Sequence, residues 1–424
     1  MRYDRSMLAL LLIGLMTTTP QDPTPGAGPL EPRTGRWHAW LDSPSGEIPF
    51  SIDIGRVPGG WVAYINNGSE RIPIEATHED RTLRLHCTPY DSWIEADITQ
   101  GGVRLDGEWT LERGEGEART MPFHATHGAK PRFPGQGKTA RGGASLAGRW
   151  SVEFESSEEP AVAIFEQGPR SVTGTFMTTL GDYRFLEGTW EEGVLRLSCF
   201  DGAHAFRFDA QLDAEGNLGG VFQSGAHWTE VWAARRDEDA RVPDPFGLTR
   251  LKEGVDLSGL TFETLDGEPQ ALDAPAFEGK ALVLVLFGSW CPNCVDEARL
   301  LARLQRQYGP RGLQVVGLGF EQQDSPENQR ARLQRFQRAL DVPYPLLRAG
   351  NASKAEASEA FPLLDRVLAF PTTVFIAADG TPRAVHTGFN GPATGPAHER
   401  LVDQFELLIE DLLPADDEIG RAHV

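Results

Sequence analysis

Cysteine is scarce in this chain: Cys87, Cys199, Cys291 and Cys294 are the four among 424 residues. That number excludes a small disulfide-dense scaffold, so stability must come from packed cores. Basic charge is also short, with 40 Lys and Arg against 61 Asp and Glu and a formal charge of −21. No basic stripe is left to neutralise phosphates, which argues against nucleic acid as a partner. Long apolar runs are missing too. The run Met7 to Met16 falls well short of the ~20 residues a membrane span needs. No second C-x-x-C and no nearby His pair completes a four-ligand zinc set around Cys291, so neither a metal nor a cofactor is expected.

What is there begins with a targeting segment. Arg2 and Arg5 precede the apolar run, as in a signal peptide, although Asp4 dilutes the positive start and Thr17-Thr18-Thr19-Pro20 makes a poor cleavage site. Residues 1–20 therefore read as a signal peptide or a short anchor, with 7–16 as the candidate membrane tether. The expected location is the periplasm or cell envelope. Residues 21–34, 128–145 and 236–250 are rich in Pro, Gly or charge and read as linkers. They separate three folded units, 35–127, 146–235 and 251–414, followed by a tail, 415–424. A chain of this length exceeds what one core usually serves.

The first two units repeat one another at an offset of 112 to 113 residues. Gly35-Arg36-Trp37 returns as Gly148-Arg149-Trp150, and Leu83-Arg84-Leu85-His86-Cys87 as Leu195-Arg196-Leu197-Ser198-Cys199; Asp97 matches Asp209, and Gly107 matches Gly220. Alternation such as Phe50-Ser51-Ile52-Asp53-Ile54 marks strands, roughly eight per copy by turn signals. Two duplicated all-β domains, each an antiparallel barrel or a small sandwich, follow from that pattern. The third unit changes period at Leu260 and reads β, α, β, α, β, β, α, an α/β sheet with crossover helices. Its strands are Ala281 to Phe287, Leu313 to Phe320, Thr372 to Ala377 and Thr381 to Thr387. Its helices are Asp296 to Tyr308, Pro326 to Leu340 and His398 to Leu413.

Trp290-Cys291-Pro292-Asn293-Cys294 sits where the first of these strands gives way to a helix. Cys291 then falls at or before a helix N-terminus, where free N–H groups and the dipole favour a thiolate, the attacking species in disulfide exchange. Two cysteines three apart can close a disulfide within one turn, and Pro292 suits a first helical position. Cys291 attacking and Cys294 resolving is the reading this geometry supports. Half a zinc site and an inert disulfide are the plainer alternatives.

Lys280 to Cys294 (KALVLVLFGSWCPNC), Gly312 to Gly317 (GLQVVG), Phe370 to Ile376 (FPTTVFI) and Asp379-Gly380, in that order, resemble the exported thioredoxin-like family of TlpA and ResA proteins. The resemblance covers the third unit and leaves the β repeats outside. It implies a thioredoxin fold and a thiol–disulfide oxidoreductase that reduces protein disulfides, with a protein client and an upstream electron donor, both unidentified. It also implies that Pro371 is a cis-proline opposite the cysteines, with Phe361-Pro362 as competitor, and that Trp290 is the aromatic residue preceding the motif. Glu321, just after the second strand, takes the place of a carboxylate that tunes proton transfer; a solvated loop acid is the bland alternative. One departure stands out: six residues before the first cysteine, where classical thioredoxins carry Asp, this chain has Val285.

Other residues have simpler readings. Cys87 and Cys199 are expected as buried, unreactive thiols. His386 is expected on the surface of an edge-like strand, and His398 at the start of a helix. Trp37, Trp93, Trp109, Trp150, Trp190, Trp228 and Trp232 read as barrel core rather than ligand stackers. Two further functions compete with reduction. A peroxiredoxin-like peroxidase would need Thr-x-x-Cys, where Gly288-Ser289-Trp290-Cys291 stands, and a non-catalytic thioredoxin-fold binding protein would not need the intact Cys291, Cys294 and Pro371.

Overall fold

Phe50, Ile52 and Ile54 are buried and the residues between them only half so, the period-2 pattern of a strand covered on one face. In this computed structural model, which describes residues 29–414 except 115, 134–144, 170, 323 and 324, eight such strands close on themselves. They are β1 (Gly35–Ser43), β2 (Gly46–Val57), β3 (Gly60–Asn67), β4 (Glu70–Glu79), β5 (Thr82–His86), β6 (Ser92–Thr99), β7 (Arg104–Gly114) and β8 (Glu117–His127). Each pairs antiparallel with the next, and β8 returns to β1. The proposed targeting segment 1–20 and the tail 415–424 lie outside the described residues.

The second copy contains β9 (Gly148–Phe154), β10 (Ala161–Gln167), β11 (Val172–Thr178), β12 (Gly181–Asp182), β13 (Leu186–Glu191), β14 (Val194–Phe200), β15 (Ala205–Leu212), β16 (Leu218–Ser224) and β17 (Trp228–Arg236). Pairing of β10 with β11 closes eight of these strands into another barrel, with β12 a short hairpin partner of β11. Closure, rather than a sandwich, thus removes the edges in both copies. Equivalent residues do equivalent work. Trp37 Nε1 donates to Arg33 O (2.9 Å) and Trp150 Nε1 to Leu146 O (3.0 Å). Gly107 faces Ala96 and Gly220 faces Ala210 across the ladder, and a Cβ on either glycine would strike the neighbouring strand's backbone.

Aromatic rings fill the second barrel, with Phe176 and Phe208 stacked at 4.1 Å and Trp232 edge-on to Phe176 at 5.0 Å. Five of the seven tryptophans expected in the core are there: Trp37, Trp109, Trp150, Trp190 and Trp232. Trp93 is only half-buried because it points outward between Ser92 and Ile94. Trp228 is 46% exposed because, although on the same face of β17 as Glu230 and Trp232, it stands at the strand's first residue, at the barrel mouth. Cys87 and Cys199 are free and buried, and burial pushes both thiols up.

The third unit is a seven-stranded mixed sheet in the order β19-β18-β22-β21-β20-β23-β24. Its strands are β18 (Thr261–Thr264), β19 (Pro269–Ala271), β20 (Ala281–Phe287), β21 (Leu313–Glu321), β22 (Leu346–Asn351), β23 (Thr372–Ile376) and β24 (Pro382–Thr387). Helices α1 (Pro292–Tyr308), α2 (Pro326–Ala339), α3 (Lys354–Ala360) and α4 (Pro396–Leu412) cover it. β20 is buried along its whole length, with β21 parallel on one side and β23 antiparallel on the other. The β18–β19 hairpin, β22 and α3 are additions to the expected order. β22 carries two apolar residues before turning polar, and α3 has only seven residues, so neither displays a period.

His386 corrects an expectation. β24 is indeed an edge strand, yet His386 is fully buried because Phe246 and Phe405 close over its ring at 4.9 and 5.1 Å. Neither ring nitrogen has a hydrogen-bond partner among the described residues, and burial lowers its pKa to about 4.

The three units pack against one another. Phe200 of the second barrel lies on Phe50 and Trp109 of the first at 4.5 and 5.5 Å. Arg132, in the described part of the connection between barrels, is 4% exposed and donates to Pro49 O, Asn66 O and Glu187 Oε2. Asp91 of the first barrel pairs with Arg332 and Arg335 of α2.

Candidate active site: the Cys291 turn

The seven apolar residues of β20 bring the chain through the core to Gly288-Ser289-Trp290, and α1 starts immediately after Cys291. Pro292 opens the helix, where its missing N–H costs nothing. Cys291 is the N-cap: its Sγ accepts the backbone N–H of Cys294 at 3.4 Å. On its other side lies the carbonyl of Phe370 at 3.5 Å, the first half of a cis Phe370–Pro371 bond. Pro371 rather than Pro362 is therefore the cis residue beside the dithiol. Trp290 Nε1 donates to Phe320 O (3.0 Å), and its ring stands edge-on to Phe370 at 6.0 Å.

Both cysteines are free thiols, with Cys291 7% and Cys294 1% exposed. Burial, then the hydrogen bond and charge of Cys291, push the Cys294 thiol well above its usual range, with Glu297 adding to the effect. Position on the helix separates the two sulfurs. Cys291 faces the unpaired N–H groups of the first turn, whereas Cys294 lies inside it.

Glu297 is the residue that the sequence reading passed over. It is 1% exposed, it accepts from Thr373 Oγ1 at 2.7 Å, and burial raises its carboxyl to about 8. Thr373 is the cross-strand partner of Val285, so the acid from the helix reaches the neighbourhood that Val285 leaves without one. The signal was available: positions 297, 300, 301 and 304 form one helical stripe, and Leu300, Leu301 and Leu304 are its buried remainder.

Glu321 occupies a different place. It is fully buried at the end of β21, where its Oε1 accepts Ser289 N (2.8 Å) and its Oε2 accepts Ser289 Oγ (2.7 Å). Burial raises it to about 7 against those hydrogen bonds. The carboxyl thus holds the turn two residues ahead of Cys291.

Asp296, between Cys294 and Glu297, points outward into a buried ion cluster. Arg184 of the second barrel bonds its carboxylate and also Glu70 of the first barrel (2.7 Å), with Asp201 at 3.7 Å. All four side chains are at most 12% exposed. No local pattern signals the meeting of Glu70, Arg184 and Asp296, each more than 100 positions from the next.

A buried parallel strand, a dithiol at the strand-to-helix turn and a cis-proline beside it define a thioredoxin-like oxidoreductase domain. A family model described as the AhpC/TSA family matches residues 257–385. Among curated proteins the chain is similar to the thioredoxin-like protein YneN of Bacillus subtilis, 25% identical over 138 residues, 32% of this chain and 73% of the relative. It is equally similar to the thiol-disulfide oxidoreductase ResA of Halalkalibacterium halodurans, 25% identical over 159 residues, 38% and 78% of the two chains. A crystal structure of a thiol:disulfide interchange protein from Chlorobium tepidum, 21% identical, covers 38% of this chain and 100% of its own, with a TM-score of 0.29. The curated relatives cover the C-terminal part and leave out the barrels.

Proposed function

We propose that Cys291 and Cys294 are the redox pair through which this thiol–disulfide oxidoreductase reduces protein disulfides outside the cytoplasm. The observation that carries the reading is the Cys291 sulfur at the N-cap of α1, taking the Cys294 N–H beside the carbonyl of Phe370. A thiolate there attacks one sulfur of the client disulfide. The Cys291–client bond forms as the client S–S bond breaks, and the released client thiolate takes a proton. Cys294 then attacks Cys291, closing the internal disulfide and freeing the second client thiol. Two electrons pass to the client in all. Glu297, raised to about 8 and close enough to act on the Cys294 thiol, accepts the Cys294 proton during that second attack in its ionised form, the share of which grows as pH rises. Pro371 and Trp290 supply the surface beside the sulfur, and Glu321 fixes the turn that presents it. Export rests on the basic start and apolar run of residues 2–16.

The test is an insulin reduction assay with dithiothreitol returning electrons to the pair. Cys291→Ala is expected to abolish turnover. Cys294→Ser, reduced beforehand and mixed with client without dithiothreitol, is expected to accumulate a covalent client adduct on Cys291 that added dithiothreitol releases. Adducts forming on Cys294 in the Cys291→Ala protein, or peroxide consumption exceeding disulfide reduction, would overturn the assignment.

A further inference from the structure

The second barrel does not stand off from the dithiol. Its β11–β12 hairpin is seated on the loop that follows β24: Gly181 bridges Phe389, and Asp182 Oδ2 accepts Gly391 N at 2.5 Å. Two glycines make the approach possible. A Cβ at Gly181 would overlap the amide of Asn293, inside the dithiol motif, and one at Gly388 would overlap the backbone of Leu180. The Arg184 cluster on Asp296 secures the same contact from the next turn of chain. One flank of the motif is thereby covered by barrel.

What stays open beside it is a cleft of about 580 Å³. Trp290, Asn293 and Phe370 form its wall on the dithiol side, and Tyr183, Phe206 and Phe222 face them from the second barrel. Three cations sit around it: Arg113 and Arg119 from the first barrel and Lys354 from α3. Of the acids in the lining, Glu230 accepts from Ser156 and the Trp228 indole, and Asp182, its carboxyl raised by burial, from the backbone N–H groups of Gly391 and Arg184. Of the cations, Arg119 contacts the His227 ring. With three cations against two carboxylates, in a chain of net charge −21, this is an aromatic space of locally positive balance.

We propose that this cleft is the client site, and that the client is a linear peptide whose disulfide is flanked by carboxylates. The inference rests on Cys291 being the attacking sulfur. The hairpin on Asn293 obstructs a broad folded surface, whereas the volume fits a few residues of extended chain, in the range of ligand clefts, roughly 300–1,000 Å³. Aromatic walls suit apolar side chains beside the cystine. The cations select acidic neighbours by charge complementarity and disfavour basic ones.

The experiment uses the full chain with dithiothreitol as electron source and three probes: a disulfide-linked peptide with Glu on both sides of Cys, the same peptide with Lys, and dithiodiglycolate, a small dianionic disulfide without a chain. The Glu peptide should exceed the Lys peptide in kcat/KM by about tenfold or more, and dithiodiglycolate by a similar factor. Arg119→Glu and Lys354→Glu should each reduce the Glu-to-Lys ratio severalfold, and together bring it to one or below. The ratio is internally normalised, so partial loss of folded protein does not move it. Equal use of both peptides, or a ratio indifferent to the charge reversals, overturns the client site while leaving the redox pair standing. Dithiodiglycolate turned over as well as the Glu peptide overturns the peptide assignment. Failure to reduce any of the three refutes the redox reading itself.

Discussion

Replacing Glu297 with Gln removes one proton-binding group from the buried stripe of α1 with little change of volume. Burial lifts this carboxyl from an ordinary 4.5 to about 8, opposed by the Thr373 hydrogen bond. Between those two values the unfolded chain has released the proton and the folded chain still holds it. Folded stability from this group is therefore complete below pH 4.5, falls as pH rises to about 8, and is level above. Since one unit of pKa corresponds to ~1.36 kcal/mol, the loss reaches roughly 4–5 kcal/mol. The Gln variant has no such dependence, so it should gain on the wild type as pH rises. At ~2–4 °C per kcal/mol for a domain of this size, the difference in melting temperature should widen by on the order of 10 °C between pH 5 and pH 9. Glu321 and Glu70 are also raised, to about 7, but they are common to both proteins and cancel in the comparison. Scanning calorimetry of the reduced proteins at matched rates measures it. A difference that does not change with pH would refute the placement of a neutral Glu297 in the core. The same variant should lower the pKa of Cys294, read as thiolate absorbance, because it removes an ionisable neighbour of that sulfur.

Arg184→Ala leaves Asp296, Glu70 and Asp201 buried without their shared cation, a loss of about 3–5 kcal/mol by analogy with broken buried pairs. The loss should be smaller at pH 5 than at pH 8, since Glu70 is neutral below its raised pKa; urea titration at both values decides, and equal losses would remove Glu70 from the account. Alkylation of the native reduced protein at pH 8 followed by mass spectrometry should label Cys291 while Cys87 and Cys199 remain unmodified until the barrels unfold. Early labelling of either would show that its barrel opens.

The dithiol turn was legible because its determinants are contiguous: an apolar strand, a short turn, Cys291 and Pro292. The barrels were legible because duplication prints each strand twice, so that Gly107 and Gly220 appear at a shared offset before either is seen against a neighbouring backbone. Glu297 was readable from its place on the Leu300, Leu301 and Leu304 stripe. It was missed because the stripe was counted from Leu300, which left Glu297 between the charged residues Asp296 and Arg299 rather than one turn back on the same face. Glu321 was singled out for proton transfer, and its position against Ser289 shows what strand order alone does not: which way a carboxylate at the end of a strand turns. His386 and the Arg184 cluster depend on segments remote in sequence closing over them, and alternation along one strand carries no trace of the cover.

Duplication also separates what was preserved from what was free to diverge. Both copies keep the indole hydrogen bond to the fourth residue before it and the glycine beneath the neighbouring strand; with a largely aliphatic filling in the first and an aromatic one in the second, only these devices are shared. Their rims are not. The second copy spends a two-residue hairpin on the loop after β24, and the first contributes the arginines near its β7–β8 turn. An exchange of the two copies in the chain would thus yield two sound barrels around an unaltered dithiol, with nothing left to shape the space in front of it. In this architecture, ancestry resides inside the barrels and individuality at their ends.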